Sequence, residues 1–190
     1  MARPYLPFKA TACRFSNPGE QELVGQAMRD ATQAQRLALM GQYAEAENLH
    51  LQALAVKERI LGCSEVSTAI SYNAMGDMYT RMGRLEEAKT YLQKALHIRE
   101  GNTKCDELDA AVTRMYLGKV LEMQGDLTGA KNMRRLGWPK KMLCGNEECP
   151  QGDMFRPNFS LCSRCKSIYY CGKACQKHDW QRHKEHCKHQ

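Results

Sequence analysis

Three stretches of this 190-residue chain repeat one design: MGQYAEAE at 40–47, MGRLEEAK at 82–89 and QGDLTGAK at 124–131. Gly41, Gly83 and Gly125 stand 42 residues apart, and Ala46, Ala88 and Ala130 keep the same spacing. Working outward, Gly76 pairs with Gly118, Ala53 with Ala95, Leu54 with Leu96, Val56 with Ile98, and Lys57-Glu58 with Arg99-Glu100. A gapless period of this length marks a repeat architecture. Within a unit, Tyr72, Met75, Gly76 and Tyr79 fall at i, i+3, i+4 and i+7, and Ala88, Leu92 and Ala95 follow the same periodicity. That is the pattern of amphipathic helices. Each unit therefore reads as helix, turn, helix, with small residues letting the two helices approach. One hairpin cannot bury its apolar face alone, so consecutive units stack. Helices are expected at about 21–40, 43–60, 65–82, 85–100, 107–124 and 127–136. Residues 1–20 read as a flexible, basic start, 21–136 as the repeat and 137–143 as a linker, in which Trp138 is read as packed on a neighbouring domain.

The second unit, with Tyr72, Met75, Gly76, Tyr79, Ala88, Leu92 and Ala95, resembles the tetratricopeptide repeat. The 42-residue period, against 34 in the commonest form, and the KERILG and HIREG stretches resemble the kinesin-light-chain variety. Unit one departs from the pattern at Ala34 and His50, and unit three at Arg134 and Gly137. The resemblance implies a mainly α fold, an α-α superhelix of about three units with a binding groove. Asn73, Asp77 and Lys119 are the residues expected to line it.

The last fifty residues carry different chemistry. Seven of the ten cysteines fall between 144 and 187, and Cys13, Cys63 and Cys105 lie outside. That distribution argues against a disulfide framework for the whole chain, while metal thiolates fit it. Cys63 and Cys105 are one repeat apart and read as partly buried thiols. The ligand-type residues run C-x4-C-x12-C-x2-C-x5-C-x3-C-x7-H-x3-C from Cys144. Eight ligands make two tetrahedral sets for Zn²⁺, each joining a loop pair to an i, i+4 helical pair, Cys171 with Cys175 or His183 with Cys187. Spacing leaves open which pairs combine. His178, His186 and His189 do not keep both spacings and are read as solvent-facing.

Residues 144–187 resemble the MYND finger through Tyr170-Cys171, Cys175-Gln176 and Trp180-x-x-His183 followed by Cys187. That resemblance implies interleaved ligands: Cys144, Cys149, Cys171 and Cys175 on one ion, Cys162, Cys165, His183 and Cys187 on the other. It also implies a groove for proline-rich segments, with Ser163, Gln176 and Trp180 at peptide-contacting positions. The first pair departs, being C-x4-C where C-x2-C is commoner, and a long loop follows from Pro150 to Leu161. Four protein ligands per ion leave no open coordination position, so both zincs read as structural.

Composition bounds the rest. No run approaches the roughly 18 apolar residues of a membrane span, and Met1 to Phe8 lacks a secretory apolar core. The expected setting is a reducing compartment, cytoplasm or nucleus. Arg3, Lys9 and Arg14 with no acid before Glu20 make an organelle transit segment the alternative. The formal charge of +7 falls to about +4 once seven thiolates are set against two Zn²⁺. The chain is therefore read as a non-enzymatic adaptor that joins proteins or peptides, without membrane or small-molecule substrate. The alternatives are a nucleic-acid-associated factor, from ten Lys and Arg against five Asp and Glu in residues 140–190, and a relative of SET/MYND lysine methyltransferases lacking the catalytic domain.

Overall fold

The computed structural model describes residues 17–63, 65–102, 105–137, 142–150 and 159–188. Cys13, Trp138, Pro139, most of the basic start and of the loop after Pro150, and His189 lie outside the described residues. The chain divides into two compact units, one ending at Cys105 and one beginning at Asp106. The helices are α1 (Pro18–Leu39), α2 (Tyr43–Ile60), α3 (Val66–Arg81), α4 (Leu85–Gly101), α5 (Glu107–Met123), α6 (Leu127–Arg135) and α7 (Lys173–His183). A two-residue antiparallel ladder joins β1 (Ser160–Leu161) to β2 (Tyr169–Tyr170), with Ser160 opposite Tyr170. α1 begins three residues earlier than the periodicity indicates, because Pro18 takes the first turn and the Asn17 side chain accepts from the Glu20 amide.

The period-marking glycines explain the turns. Gly41, Gly83 and Gly125 have φ of 80°, 75° and 85°, a left-handed conformation that glycine adopts without Cβ strain. In each hairpin the residue after the glycine donates back across the turn: Gln42 to the Leu37 carbonyl, Arg84 to Tyr79 and Asp126 to Leu121, all at 2.9 Å. This bond closes the helix end as a Schellman motif, and the next helix starts one or two residues later. None of these three glycines has an atom within 4 Å of the Cβ it lacks, so backbone conformation alone selects them.

In the first unit α1 packs on α2 and α3 on α4, and α3 also meets α1 and α2. The core is Val24, Ala27, Ala34, Leu37, Ala46, Ala53, Ala69, Met75, Met78, Leu92 and Ala95. Gly76 permits the close approach of α3 and α4, since a Cβ there would lie 2.4 Å from Leu92 Cγ. A tyrosine cluster joins the two hairpins: Tyr79 stacks on Tyr91 at 5.4 Å, and the Tyr79 hydroxyl donates to Glu47 on α2 at 2.7 Å. Arg84 covers the Tyr79 ring and also pairs with Glu47 at 2.9 Å. On the neighbouring turn the Tyr72 hydroxyl donates to Glu58.

His50 and Lys57 bring charge chemistry into this core. Lys57 Nζ donates to Ser71 Oγ at 2.8 Å, and burial lowers its pKa from 10.5 to about 8. His50 is fully buried, with no protein partner on either ring nitrogen. Burial first, and the Lys57 charge second, push its pKa from 6.5 down to about 4. The unfolded chain therefore binds the extra proton, so this stability is full above pH 6.5 and is lost as the pH falls toward 4, on the order of 3 kcal/mol. Leu92 occupies the equivalent position one unit later. His50→Leu is expected to remove this acid-dependent loss from the α1–α4 unit, measured as the difference in thermal unfolding from the wild type between pH 7 and 4.5. Gly76→Ala, which drives a methyl into Leu92, is expected to cost about 1–3 kcal/mol in the same assay.

Candidate metal centre

The second unit holds the α5–α6 hairpin and the cysteine-rich segment around one core. Leu127 of α6 joins Cys144, Cys149, Cys162, Cys165, Ile168, Tyr170, Cys175 and Cys187 in a single buried cluster. Leu143 packs with Ala111 and Met115 of α5, and Met142 beside it is buried too. The segment between repeat and finger is thus anchored to α5 at its described end.

Two groups of four ligands emerge, Cys144, Cys149, Cys171 and Cys175, and Cys162, Cys165, His183 and Cys187. Within each, all ligand atoms lie within 4.8 Å of one another. The Cys171–Cys175 and Cys149–Cys171 sulfurs are 3.4 and 3.6 Å apart, Cys162–Cys187 3.8 Å, and His183 Nε2 is 3.4 Å from Cys165 Sγ. Thiolates about 2.3 Å from a tetrahedral Zn²⁺ sit about 3.8 Å from each other, so both groups fit two zinc ions. The interleaved pairing is the one that the MYND resemblance implies.

Local chain chemistry shapes each half-site. Cys162 and Cys165 form a knuckle closed by Lys166 N to Cys162 O at 3.0 Å, with Lys166 at φ 53°. The wider Cys144–Cys149 pair is drawn in by Asn146, whose side-chain oxygen accepts from the Glu148 amide at 3.1 Å while its carbonyl accepts from Cys149 N. Gly145 donates to the Tyr169 carbonyl at 2.7 Å, and a Cβ there would strike Ile168 at 2.4 Å. The helical-pair expectation needs correction. α7 runs from Lys173 to His183, so only Cys175 and His183 are helical. Cys171 precedes the helix across Gly172 and Cys187 lies beyond its end, so each ion takes one helical ligand and one from the adjoining turn.

Burial pushes the thiols of Cys144, Cys171 and Cys187 up, the latter two to about 11 and 12. Thiolates are thus costly here until a cation compensates them, and metal binding releases their protons. Cys165 differs: burial would raise it, but its contacts with His183 and Ser167 hold it down at about 6 in the absence of a cation.

Sequence reasoning missed the polar network behind the second site. Glu122 of α5 is 0% exposed and accepts from His183 Nδ1 at 2.5 Å. Its other oxygen takes Arg134 of α6 at 2.5 Å, with Arg182 of α7 3.9 Å away. Arg134 also donates to the Ser167 carbonyl in the knuckle at 2.8 Å. Burial acts to raise the Glu122 pKa, but the hydrogen bond from His183 and the two guanidinium groups hold it at about 2. Gly118 makes room, since a Cβ there would lie 2.7 Å from Arg134 Nε. The signal in the sequence was the arginine at a position where the second unit has Leu92. Tyr170 donates to Asp179 at 2.7 Å, and Asp179 holds Arg182 through two bonds.

The remaining expected site residues differ in their exposure and partners. Ser163 is exposed, Gln176 is half-buried, and Trp180 is 37% exposed with its ring edge-on to His183 at 6.0 Å. Asn73 is 1% exposed and accepts from Arg99 at 3.1 Å, so its amide is directed inward rather than to a groove surface. Asp77 pairs with Arg81 at 3.0 Å and Lys119 with Glu147 at 2.5 Å. His178 is exposed beside Glu148 and His186 is half-buried. Cys63 is exposed, and Cys105 is half-buried.

Elemental analysis is expected to give two zincs per chain, and Cys165→Ser to leave about one. Chelation is expected to strip hydrogen-exchange protection from α5 and α6 as well as α7, because Leu127 lies in the finger's core and Leu143, next to the ligand Cys144, packs on α5, while α1–α4 keep theirs.

The tetratricopeptide repeat family matches residues 27–101 and 67–133, and the MYND finger matches residues 144–187. Similarity to a MYND-type zinc finger protein, samB of Emericella nidulans, is 39% over 44 residues, 23% of this chain and 8% of that protein. Similarity to a histone-lysine N-methyltransferase, ASHR1 of Arabidopsis thaliana, is 45% over 31 residues, 16% of this chain and 6% of that protein. The chain therefore spans under a tenth of the length of these relatives. Among solved structures, BtubC (BKLC) from P. vanneervenii superposes with a TM-score of 0.55 at 25% identity, covering 56% of this chain and 43% of that one. The N-terminal domain of stress-induced protein-1 (STI-1) from C. elegans does so at 0.51 and 16% identity, covering 64% and 85%, which shows the fold alone. Glycine-closed helical hairpins, two closed four-ligand clusters and these matches agree: the chain belongs to the tetratricopeptide repeat family and carries a C-terminal MYND finger that binds two zinc ions, a pairing of protein-interaction modules.

Proposed function

We propose that this chain is a non-enzymatic adaptor whose finger grips an extended, proline-rich peptide while the repeat holds a second protein. The observation that carries the reading is the exposed indole of Trp180, one helical turn from Gln176 on α7. A proline-rich segment is already extended and stiff, and a flat apolar ring with a nearby amide suits its rings and carbonyls. Ser163, exposed on the Cys162–Cys165 knuckle, would supply a hydroxyl. The indole lies 6.0 Å from the buried His183 ring at a steep angle, a contact that favours one side of the tryptophan and would lower the ordering cost of binding.

The eight ligands fill both tetrahedral sets, which supports a structural role for the metal and argues against zinc-activated water. The methyltransferase likeness lies within the finger and covers 6% of that enzyme, so methyl transfer is not carried to this chain. Metal-held thiolates favour a reducing setting, and the proposed locations are the cytoplasm and the nucleus.

Fluorescence anisotropy against a panel of labelled proline-rich peptides tests the finger. Trp180→Ala is expected to weaken binding by roughly thirtyfold while leaving two zincs per chain. Equal binding by wild type and variant would refute the assignment. Binding of labelled nucleic acid that falls steeply with salt would favour the basic surface instead.

A further inference from the structure

We propose that Glu122 is a positioning residue for the second zinc site, its carboxylate fixing the ring orientation and the tautomer of the ligand His183. The ring presents Nε2 to the sulfur cluster, 3.4 Å from Cys165 Sγ, while Nδ1 points the opposite way and meets Glu122 Oε1 at 2.5 Å. A histidine that gives one nitrogen's lone pair to a metal must carry its proton on the other, and that N–H needs an acceptor. Both side chains are 0% exposed, so water is not the acceptor. The carboxylate is itself fixed: Arg134 and Arg182 approach Oε2, leaving Oε1 to the imidazole.

This acceptor does not come from the finger. Glu122 lies on α5, 61 residues before the ligand it serves, and Arg134 extends from α6 to both Glu122 and the Ser167 carbonyl beside Cys165. The second zinc site is therefore completed by the third helical hairpin. The first site has no comparable dependence: its four ligands are all cysteines, which need no tautomer fixed. The asymmetry separates a positioning role from plain structural support. A carboxylate that merely neutralises two buried arginines would, when removed, loosen the whole unit and both ions together.

The test uses the full chain. Zinc content of the wild type is measured first, since fewer than two ions would overturn the metal assignment and this inference with it. Competition with a chromophoric chelator then follows the two ions separately in the wild type, Glu122→Gln and Glu122→Ala. Glu122→Ala is expected to release one zinc roughly 10- to 100-fold more readily and to leave the other unchanged. Glu122→Gln, which keeps an acceptor oxygen, is expected to fall between. Equal weakening of both ions, or of neither, overturns the proposal. A second measurement does not depend on the variants folding. Imidazole ¹⁵N–¹H spectra of the zinc-loaded wild type should show His183 metal-bound through Nε2, with an Nδ1 proton protected from exchange. A metal-bound Nδ1, or a freely exchanging proton there, overturns it as well.

Discussion

A carboxylate deprived of water must be surrounded by groups that replace it, and Glu122 is the point at which α5, α6 and α7 meet beside the second ligand cluster. Arg134 arrives from α6, Arg182 and His183 from α7, and the knuckle carbonyl of Ser167 is tied in through Arg134. Removing one member leaves the others charged and buried, which costs far more than an exposed ion pair could. Burial of Leu127 among the cysteines and of Leu143 against Ala111 and Met115 adds the non-directional part of the cohesion.

Much of this was legible in advance because it is local or periodic. The 42-residue spacing of Gly41, Gly83 and Gly125 led directly to three hairpins, since left-handed backbone at a helix end is a demand that glycine meets best. The ligand spacing indicated two tetrahedral sets, and the family resemblance indicated how they interleave. What could not be read was long-range and polar. Nothing near Glu122 in sequence says that it will meet His183, and Arg134 appeared only as a break in an apolar pattern. The break was informative: a charged residue at a core position of a repeat needs buried partners, here Glu122 on α5 and the Ser167 carbonyl of the finger. Asn73 differs in the opposite direction: the repeat resemblance implies groove lining, and Arg99 holds the side chain inside.

The extent of α7 carries a similar lesson. An i, i+4 spacing suggests a shared helix, yet Gly172 and the turn after His183 leave Cys171 and Cys187 outside it. Turns adjoining a helix approach the same ion as well as a helical turn does, so spacing specifies proximity better than it specifies conformation.

The shared core of α6 and the finger has a consequence for the length of the array. A helical solenoid offers an apolar face at each end, and growth by duplication is easy wherever that face is left for another copy. Here Leu127 on α6 and Ala111 and Met115 on α5 are already covered, by residues of the finger and of the segment leading into it. A fourth hairpin inserted after α6 would have to displace the metal-built module and strand Arg134 without the Ser167 carbonyl. The finger thus acts as a terminator on this side of the array, held by the same contacts that complete the metal site.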